Sequence, residues 1–189
     1  MKSKFTPLLL ILLVILISIL MMTLPSFNSK EFSRIELRQD LNLDLVLDSK
    51  QDVELIFFGY AGCVDVCTPR LEALGKWYAT LSPRLTGRAG LKFLDLSVPE
   101  DRSLPDHFAK AFHNKFTGIF LEQSLLGVYA RAFSVYFSQS LLDENEMDHT
   151  THLYLIKRDK EEKQLRFIYT AYPYDFTQIQ ADIEELIHE

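Results

Sequence analysis

The sequence predicts an α/β domain built on a central mixed sheet with helices on both faces, preceded by one N-terminal transmembrane helix. Three observations lead to this fold class. Apolar residues hold nearly every position from Leu8 to Leu24, and none of these residues is charged. Strand-like and helix-like segments then alternate, an order that places helices against a partly parallel sheet. Near the C-terminus, two apolar segments flank a charged turn, which is typical of a β-hairpin.

The apolar run from Leu8 to Leu24 is the predicted membrane anchor. At about 1.5 Å per residue, a helix of this length nearly crosses a bilayer core of roughly 30 Å. Lys2 and Lys4 precede the run, and this charge distribution favours an N-terminus in the cytoplasm. A cleaved signal peptide is the alternative, but the run exceeds a usual signal core and no Ala-x-Ala-like site follows it.

The predicted layout is a single-pass protein of the inner (cytoplasmic) membrane, with its domain in the periplasm or outside the cell. We expect three regions, namely an anchor over residues 1–25, a polar tether over residues 26–39 and the folded domain over residues 40–189. Beyond the anchor the chain has 18 basic and 26 acidic residues, a net charge of 18 − 26 = −8. This balance argues against nucleic acid as a partner, because binding to phosphates requires basic surface.

The elements of the domain are predicted in order along the chain. Residues 53–58 form a run that is apolar apart from Glu54 and ends at Gly59, as expected for a strand buried on both faces. Apolar residues at spacings of three and four then predict an amphipathic helix with Pro69 in its first turn. The remaining predicted elements are a strand over 91–96, helices over 106–116 and 124–133, hairpin strands over 151–156 and 165–170, and a closing helix over 176–187.

Cys63 and Cys67 lie between the first strand and the helix that follows it. If the intervening turn is helical, a spacing of four residues places both sulfurs on one face. The nearby helix N-terminus favours thiolates, which both redox exchange and soft-metal binding require. A structural disulfide is the alternative outside the cytoplasm, although closing so small a loop would remove little unfolded-state entropy.

The five histidines are predicted to differ in role. His149 and His152 lie at the entry to the first hairpin strand, where a side chain can project over the end of a neighbouring strand. From the residues alone, either one is a candidate ligand. An ordinary surface or packing role is expected for His107, His113 and His188.

Several segments of the chain resemble the Sco/SenC family of copper-binding cytochrome oxidase assembly proteins. FFGYAGCVDVCTPRLEAL is similar to the family signature, in which a Phe-x-Gly-Tyr lead-in precedes two cysteines separated by three residues. MDHTTHLYLI is similar to the family's Asp-His segment before a strand, and its His149 follows Cys67 by 82 residues. LDLSVPEDRSLP loosely resembles the family's Ser-Val-Asp-Pro-x-Arg turn.

The resemblance implies a thioredoxin-like fold and a copper site. The implied ligands are Cys63, Cys67 and His149, which would bind one copper per chain as Cu(I), Cu(II) or both. Asp65 matches an acidic residue between the family's cysteines. Together with Asp148, it would support the ligands from outside the coordination sphere; the alternative for Asp65 is an ordinary solvated loop residue.

The chain departs from the family pattern at a few positions. The family usually has Pro after the first cysteine and directly after the second, where this chain has Val64 and Thr68, with Pro69 displaced by one. SVPEDR lacks the Asp that the family has before Pro. His152 has no counterpart in the family, and strand alternation is expected to turn it away from His149. None of these departures removes an implied ligand, so the chain is identified as a divergent member.

The resemblance further implies a membrane-anchored copper chaperone. It would receive copper from a donor protein and deliver it to the CuA site of cytochrome c oxidase subunit II, so we do not expect an enzyme. The alternative is an extracytoplasmic thiol-disulfide oxidoreductase or a redox sensor, with Cys63 and Cys67 as the catalytic pair. Against this alternative, Asp148 and His149 take the place of the reductases' cis-proline before the hairpin strand. Zinc is a lesser metal alternative, because a structural zinc site requires a fourth protein ligand.

Overall fold

The computed structural model describes residues 10–18, 33–43, 51–141, 143, 146–159 and 162–189. These residues fall into two compact units, one ending at Ser33 and the other extending from Arg34 to Glu189. The second unit contains the predicted domain.

The first unit contains part of the predicted anchor. Residues 10–18 form helix α1. Within the ranges given above, no helix combines the length and the apolar character needed to span a membrane. The other residues of the predicted anchor, 1–9 and 19–25, and residues 26–32 of the predicted tether lie outside the described residues.

The second unit consists of strands and helices in alternation. Its strands are β1 (Arg34–Asp40), β2 (Val53–Gly59), β3 (Ala89–Asp95), β4 (Thr117–Phe120), β5 (Phe137–Gln139), β6 (Met147–His149), β7 (Leu153–Asp159) and β8 (Glu162–Tyr169). Its helices are α2 (Cys67–Tyr78), α3 (Pro83–Thr86), α4 (Leu104–Phe112), α5 (Gln123–Ala132) and α6 (Phe176–His188). The main sheet has the strand order β1-β8-β7-β2-β3-β4, and β5 pairs with β6 in a separate two-stranded sheet.

The central strand β2 is buried along its whole length. It runs parallel to β3 and antiparallel to β7, so the sheet is mixed as predicted. Because side chains alternate along a strand, β2 contributes to two cores on opposite faces of the sheet. Leu55 and Phe57 belong to the core that includes side chains of α2 and α6, whereas Ile56 and Phe58 belong to the core that includes side chains of α5. The prediction of a central mixed sheet with helices on both faces is confirmed.

Most predicted elements occur with small shifts of their ends. The strand before the cysteines, the helix after them, the second strand, the C-terminal hairpin and the closing helix correspond to β2, α2, β3, β7–β8 and α6. The helix predicted over residues 106–116 ends at Phe112 instead, and the short strand β4 follows it at the edge of the sheet. Four residues are too few for an alternating pattern to show, so the sequence did not indicate β4.

The predicted boundary between tether and domain at residue 40 differs from the structure. Residues of the predicted tether form β1, which pairs antiparallel with β8. β1 lies at an edge of the sheet and most of its residues are exposed, so its sequence has the polar character of a tether. Arg34 attaches the strand to α6, since its Nε and Nη2 atoms donate to the Asp182 carboxylate at 2.8 and 2.9 Å. Asp182 is buried and also accepts the hydroxyl of Tyr169 at 2.7 Å.

Candidate metal centre

The loop between β2 and α2 carries both cysteines, and two glycines determine its course. Gly59 ends β2, and a Cβ atom there would lie only 2.6 Å from the sulfur of Cys67. Glycine is therefore required for the strand end to approach this sulfur so closely. Gly62, in the turn before Cys63, has a φ of 94°, a left-handed conformation that glycine adopts without strain.

Hydrogen bonds with the first turn of α2 fix the position of Cys63. Its carbonyl oxygen accepts from the Thr68 amide at 3.1 Å and from the Thr68 hydroxyl at 2.8 Å. Its sulfur accepts from the Cys67 amide at 3.3 Å. Thr68 stands where the family pattern has proline, and a proline would supply neither of the two Thr68 donors. This departure from the pattern therefore adds two hydrogen bonds to the loop.

Asp95, which the sequence analysis did not single out, supports the same loop from the end of β3. Its side chain is fully buried. One carboxylate oxygen accepts from the Ala61 amide at 3.0 Å, and the other accepts from the amide and hydroxyl of Ser97 at 2.7 and 2.6 Å. The position of Asp95 at the carboxyl end of a strand parallel to β2 was the available sequence signal, because such ends lie side by side.

His149 reaches the cysteines from β6, where it lies opposite Phe137 of β5. Its Nε2 atom lies 3.6 Å from the sulfur of Cys67. Its Nδ1 atom lies 3.0 Å from the carbonyl oxygen of Thr150, and because a carbonyl can only accept, Nδ1 is the donor. The ring of Tyr60 meets the imidazole edge-on, with 5.9 Å between ring centres. These contacts fix the imidazole with Nε2 facing the sulfurs.

The ligand atoms of Cys63, Cys67 and His149 all lie within 4.8 Å of one another. Both cysteines are buried and His149 is half-buried. Within the described part of the chain, no other group of three or more His, Cys, Asp or Glu side chains is close enough together to hold a metal ion. Two thiol sulfurs and one imidazole nitrogen form a donor set that suits copper.

Hydrogen bonding between the two cysteines makes their acidities unequal. The Cys67 side chain lowers the pKa of Cys63 to about 3, against the opposing effect of burial, and His149 and the amides of Cys67 and Val66 add to the decrease. The same hydrogen bond, together with burial, raises the pKa of Cys67 above that of an ordinary thiol. Burial and a hydrogen bond to Cys63 raise the pKa of Tyr60 to about 12. In the metal-free protein, the pKa of Cys63 therefore lies below that of Cys67, and Cys63 is the more acidic thiol of the pair.

The other residues considered from the sequence lie outside this group. Asp65 and Asp148 are both exposed to solvent, and neither is a member of the ligand cluster. His152 is also absent from the cluster and packs against Tyr154, with 6.2 Å between ring centres, and burial lowers its pKa. Strand alternation predicted a position further along the strand of His149, but His152 lies in the connection between β6 and β7.

The remaining histidines have surface or packing roles, as expected. His107 and His188 are exposed, and His113 packs against the ring of Tyr78 with 4.9 Å between ring centres. None of them joins the metal-ligand group of the described residues.

The sequence of the chain is similar to those of one protein family. The family model described as SCO1/SenC matches residues 48–188. The chain is 32% identical over 113 residues to the mitochondrial SCO1 homolog of Homo sapiens, an alignment covering 57% of this chain and 37% of that protein. It is 30% identical over 113 residues to the Mus musculus counterpart, covering 57% and 39% of the two chains. The chain thus spans less than two fifths of the length of these curated relatives.

Solved structures share the fold. The solution structure of apo Sco1 from Thermus thermophilus is similar with a TM-score of 0.64 and 25% identity, covering 80% of this chain and 94% of that chain. Arabidopsis thaliana ScoI with copper bound is similar with a TM-score of 0.59 and 18% identity, covering 72% and 84%. Yeast Sco1 with copper bound is similar with a TM-score of 0.55 and 20% identity, covering 73% and 75%.

Proposed function

This chain belongs to the SCO1/SenC family, and from that premise we propose that it is a membrane-anchored copper chaperone. It binds one copper ion per chain and delivers the ion to the CuA site of cytochrome c oxidase subunit II. The observation that carries the proposal is the convergence of Cys63, Cys67 and His149, whose ligand atoms lie within 4.8 Å of one another.

The donor chemistry favours copper over zinc. Soft sulfur ligands select Cu(I), and an imidazole nitrogen keeps Cu(II) accessible. A structural zinc site is usually tetrahedral with four protein ligands. Among the residues with described positions, no fourth His, Cys, Asp or Glu joins Cys63, Cys67 and His149. A site with three protein donors leaves room for a ligand from a second protein.

The ligands are only slightly exposed to solvent. This favours transfer of copper directly to another protein instead of its release into water. Cys63 is 4% exposed, Cys67 is fully buried and His149 is half-buried. An incoming thiolate can therefore approach from the side of Cys63 and His149 and replace one ligand at a time. Such stepwise exchange keeps the ion bound throughout delivery. A donor protein would load the site by the reverse sequence.

The proposed location follows from the N-terminal sequence. The apolar run between Leu8 and Leu24, preceded by Lys2 and Lys4, supports a single-pass anchor in the inner membrane with the N-terminus in the cytoplasm. The copper-binding domain then lies in the periplasm or outside the cell, on the side where an extracytoplasmic CuA site would be reached. Selective labelling of cysteines introduced before and after the run, in intact cells, tests this orientation.

The decisive experiment is an anaerobic Cu(I) titration of the reduced full-length chain, with copper counted per chain. We expect one copper per chain, and strong weakening of binding in Cys63→Ser, Cys67→Ser and His149→Ala, because each removes a donor. His152→Ala is the matched control, since this histidine lies outside the cluster. A His152 variant that loses copper as completely as the His149 variant would overturn the assignment.

A second candidate function is thiol-disulfide exchange, either as an oxidoreductase or as a redox sensor. The observation that favours it is the close pair of Cys63 and Cys67, in which the Cys67 amide donates to the Cys63 sulfur at 3.3 Å and the pKa of Cys63 is lowered by its hydrogen bond with the Cys67 side chain. A thiolate beside a resolving thiol is the arrangement that such exchange requires. Insulin reduction separates the two functions. We expect little turnover, and turnover comparable to that of a thioredoxin would favour the second candidate.

A further inference from the structure

Several exposed apolar side chains lie on or beside the segments that carry the ligands of the candidate metal centre. In the described part of the second unit, the exposed large apolar residues are Ile35, Val64, Leu104, Val128, Tyr136, Leu141 and Tyr172. Val64 lies between the two cysteines and is 72% exposed. Leu141 lies in the connection between β5 and β6, the strand pair that carries His149. Tyr136 and Tyr172 are placed beside the ligands by hydrogen bonds.

Hydrogen bonds fix the two tyrosines relative to the ligand-bearing segments. The amide of Tyr136 donates to the Thr150 hydroxyl at 3.0 Å, and the amide of Thr150 donates to the Tyr136 carbonyl at 2.9 Å. Tyr136, which is 65% exposed, is therefore held against the residue that follows His149. The Tyr172 hydroxyl donates to the carbonyl of Pro69, in the first turn of α2, at 3.3 Å.

The charged side chains of the same segments are acidic. Asp65 lies in the cysteine loop, and Glu146 and Asp148 lie at β6; all three are exposed. Residues 60–66, 136–141 and 146–149 contain no lysine or arginine. Arg70 is the nearest cation along α2, and its guanidinium group lies 4.7 Å over the ring of Tyr172. Arg70 also donates to the Val66 carbonyl at 3.2 Å, so this cation contacts the cysteine loop, but the three exposed acidic side chains outnumber it. The site is thus bordered by apolar groups and by a net negative charge.

This combination restricts the partner that can approach. A protein that accepts copper through thiolates brings negative charge towards Asp65, Glu146 and Asp148. Like charges brought together at an interface cost free energy, whereas opposite charges steer association. Lysine or arginine beside the acceptor's thiolates removes this cost, and exposed apolar side chains provide contact area that excludes water.

We infer that Val64, Asp65, Tyr136, Glu146, Asp148 and Tyr172, together called the rim, form a docking surface for a protein acceptor whose copper-binding thiolates are bordered by lysine or arginine. This inference rests on the proposed function, since it specifies the partner of the same site. It adds a requirement on the acceptor's surface that the three ligands alone do not impose.

Two synthetic acceptor peptides test the inference. Both contain the same pair of cysteines, flanked by lysines in one peptide and by glutamates in the other. The copper-loaded full-length chain in neutral detergent is mixed with each peptide in a stopped-flow instrument. We expect the lysine peptide to take copper about tenfold faster at low ionic strength, because charge complementarity raises association rates. The difference should shrink as salt is added, since salt screens exposed charges.

Variants locate the effect on the rim. Glu146→Lys should reduce the rate for the lysine peptide roughly threefold. Glu184→Lys, on the exposed face of α6, is the matched control and should leave the rate unchanged. Tyr136→Ser should slow transfer to both peptides by removing contact area, whereas Ile35→Ser on the edge strand β1 should not.

The outcomes separate this inference from the function on which it rests. Equal rates for the two peptides at low salt, or a faster glutamate peptide, overturn the docking surface while copper binding still stands. A Glu184 variant that lowers the rate as much as the Glu146 variant also overturns it, because the effect would then follow net charge. Failure of the chain to bind copper in the anaerobic titration overturns the proposed function itself.

Discussion

The two sides of the candidate metal centre are built differently. The cysteines lie in a loop attached to the domain core, where Asp95 holds the backbone at Ala61 and Thr68 holds the carbonyl of Cys63. His149 lies in β6, a three-residue strand that pairs with β5 in a sheet separate from the main one. The sulfurs are therefore fixed by the main sheet and α2, whereas the imidazole is positioned by a small hairpin.

This difference has a consequence for transfer. A ligand held by many core contacts costs more free energy to displace than one held by a short, partly exposed hairpin. We therefore expect His149 to leave the metal before either sulfur when an acceptor thiolate binds. The four pairs of substitutions below test the contrast between the two sides, from the largest expected effect to the smallest.

Removing a sulfur should cost more Cu(I) affinity than removing the imidazole. We expect Cys67→Ser to weaken Cu(I) binding on the order of hundredfold and His149→Ala about tenfold, because soft sulfur contributes most to Cu(I). Competition with a colorimetric Cu(I) chelator under anaerobic conditions measures both. A larger loss in the His149 variant than in the Cys67 variant would contradict the contrast.

Gly59→Ala should disturb the sulfur side directly. Its new Cβ atom would lie 2.6 Å from Cys67 Sγ and 3.0 Å from the ring of Phe93, so these atoms must move. Overpacking of this kind typically costs about 1–3 kcal/mol, and we expect Cu(I) affinity to fall about tenfold with it. Urea unfolding of the metal-free protein and chelator competition measure the two effects.

Gly62→Ala is the control for the Gly59 variant. At Gly62 a Cβ atom would meet nothing within 4 Å, but the backbone is left-handed. The substitution should therefore cost about 1–2 kcal/mol of backbone strain without displacing a sulfur. Equal losses of Cu(I) affinity in the two glycine variants would show that contact with Cys67 is not the cause.

Asp95→Asn should loosen the cysteine loop with little change of shape. The carboxylate accepts hydrogen bonds from the Ala61 amide and from the amide and hydroxyl of Ser97. In the variant, the NH2 group of the asparagine side chain must face one of these donors and cannot accept from it. A buried donor left without a partner costs about 1–3 kcal/mol. We expect this loss in urea unfolding, with a smaller decrease in Cu(I) affinity.

Asp101→Asn provides the exposed comparison for Asp95. Asp101 makes the same kinds of contact, accepting from the amide and hydroxyl of Ser103 at 2.8 and 2.7 Å, but at the surface. Water can replace these bonds, so we expect a clearly smaller loss of stability for Asp101→Asn than for Asp95→Asn. If Tm falls equally in both variants, burial of Asp95 is not the reason for the loss of stability.

Thr150→Val should have the smallest effect, on the histidine side. It removes the hydroxyl that accepts from the Tyr136 amide at 3.0 Å but keeps the carbonyl that accepts from His149 Nδ1. We expect about 0.5 kcal/mol of stability loss and less than about threefold change in Cu(I) affinity. Thr151→Val, one residue further, is the control. A loss of affinity as large as that of Gly59→Ala would mean that the hairpin is as tightly coupled to the metal centre as the cysteine loop.

Much of the fold was predictable because its signals are local. The apolar run of β2, the helical spacing in α2 and α6, and the charged turn between β7 and β8 are all visible in short windows of sequence. The strands that went unpredicted are β1, β4, β5 and β6. β1 is an exposed edge strand, and the other three have three or four residues each, so their pairing partners, not their own patterns, define them.

The sequence by itself determined which residue types are available for a metal centre. Two cysteines four residues apart before a helix, and a histidine before a strand, are fixed by the order of the chain, and the family pattern singled out Cys63, Cys67 and His149. Only the tertiary structure decided that His149 faces the sulfurs while His152 packs against Tyr154. It also decided that buried Asp95 supports the cysteine loop. The physical reason is that both choices depend on contacts between strands distant along the chain, whose register no local pattern specifies.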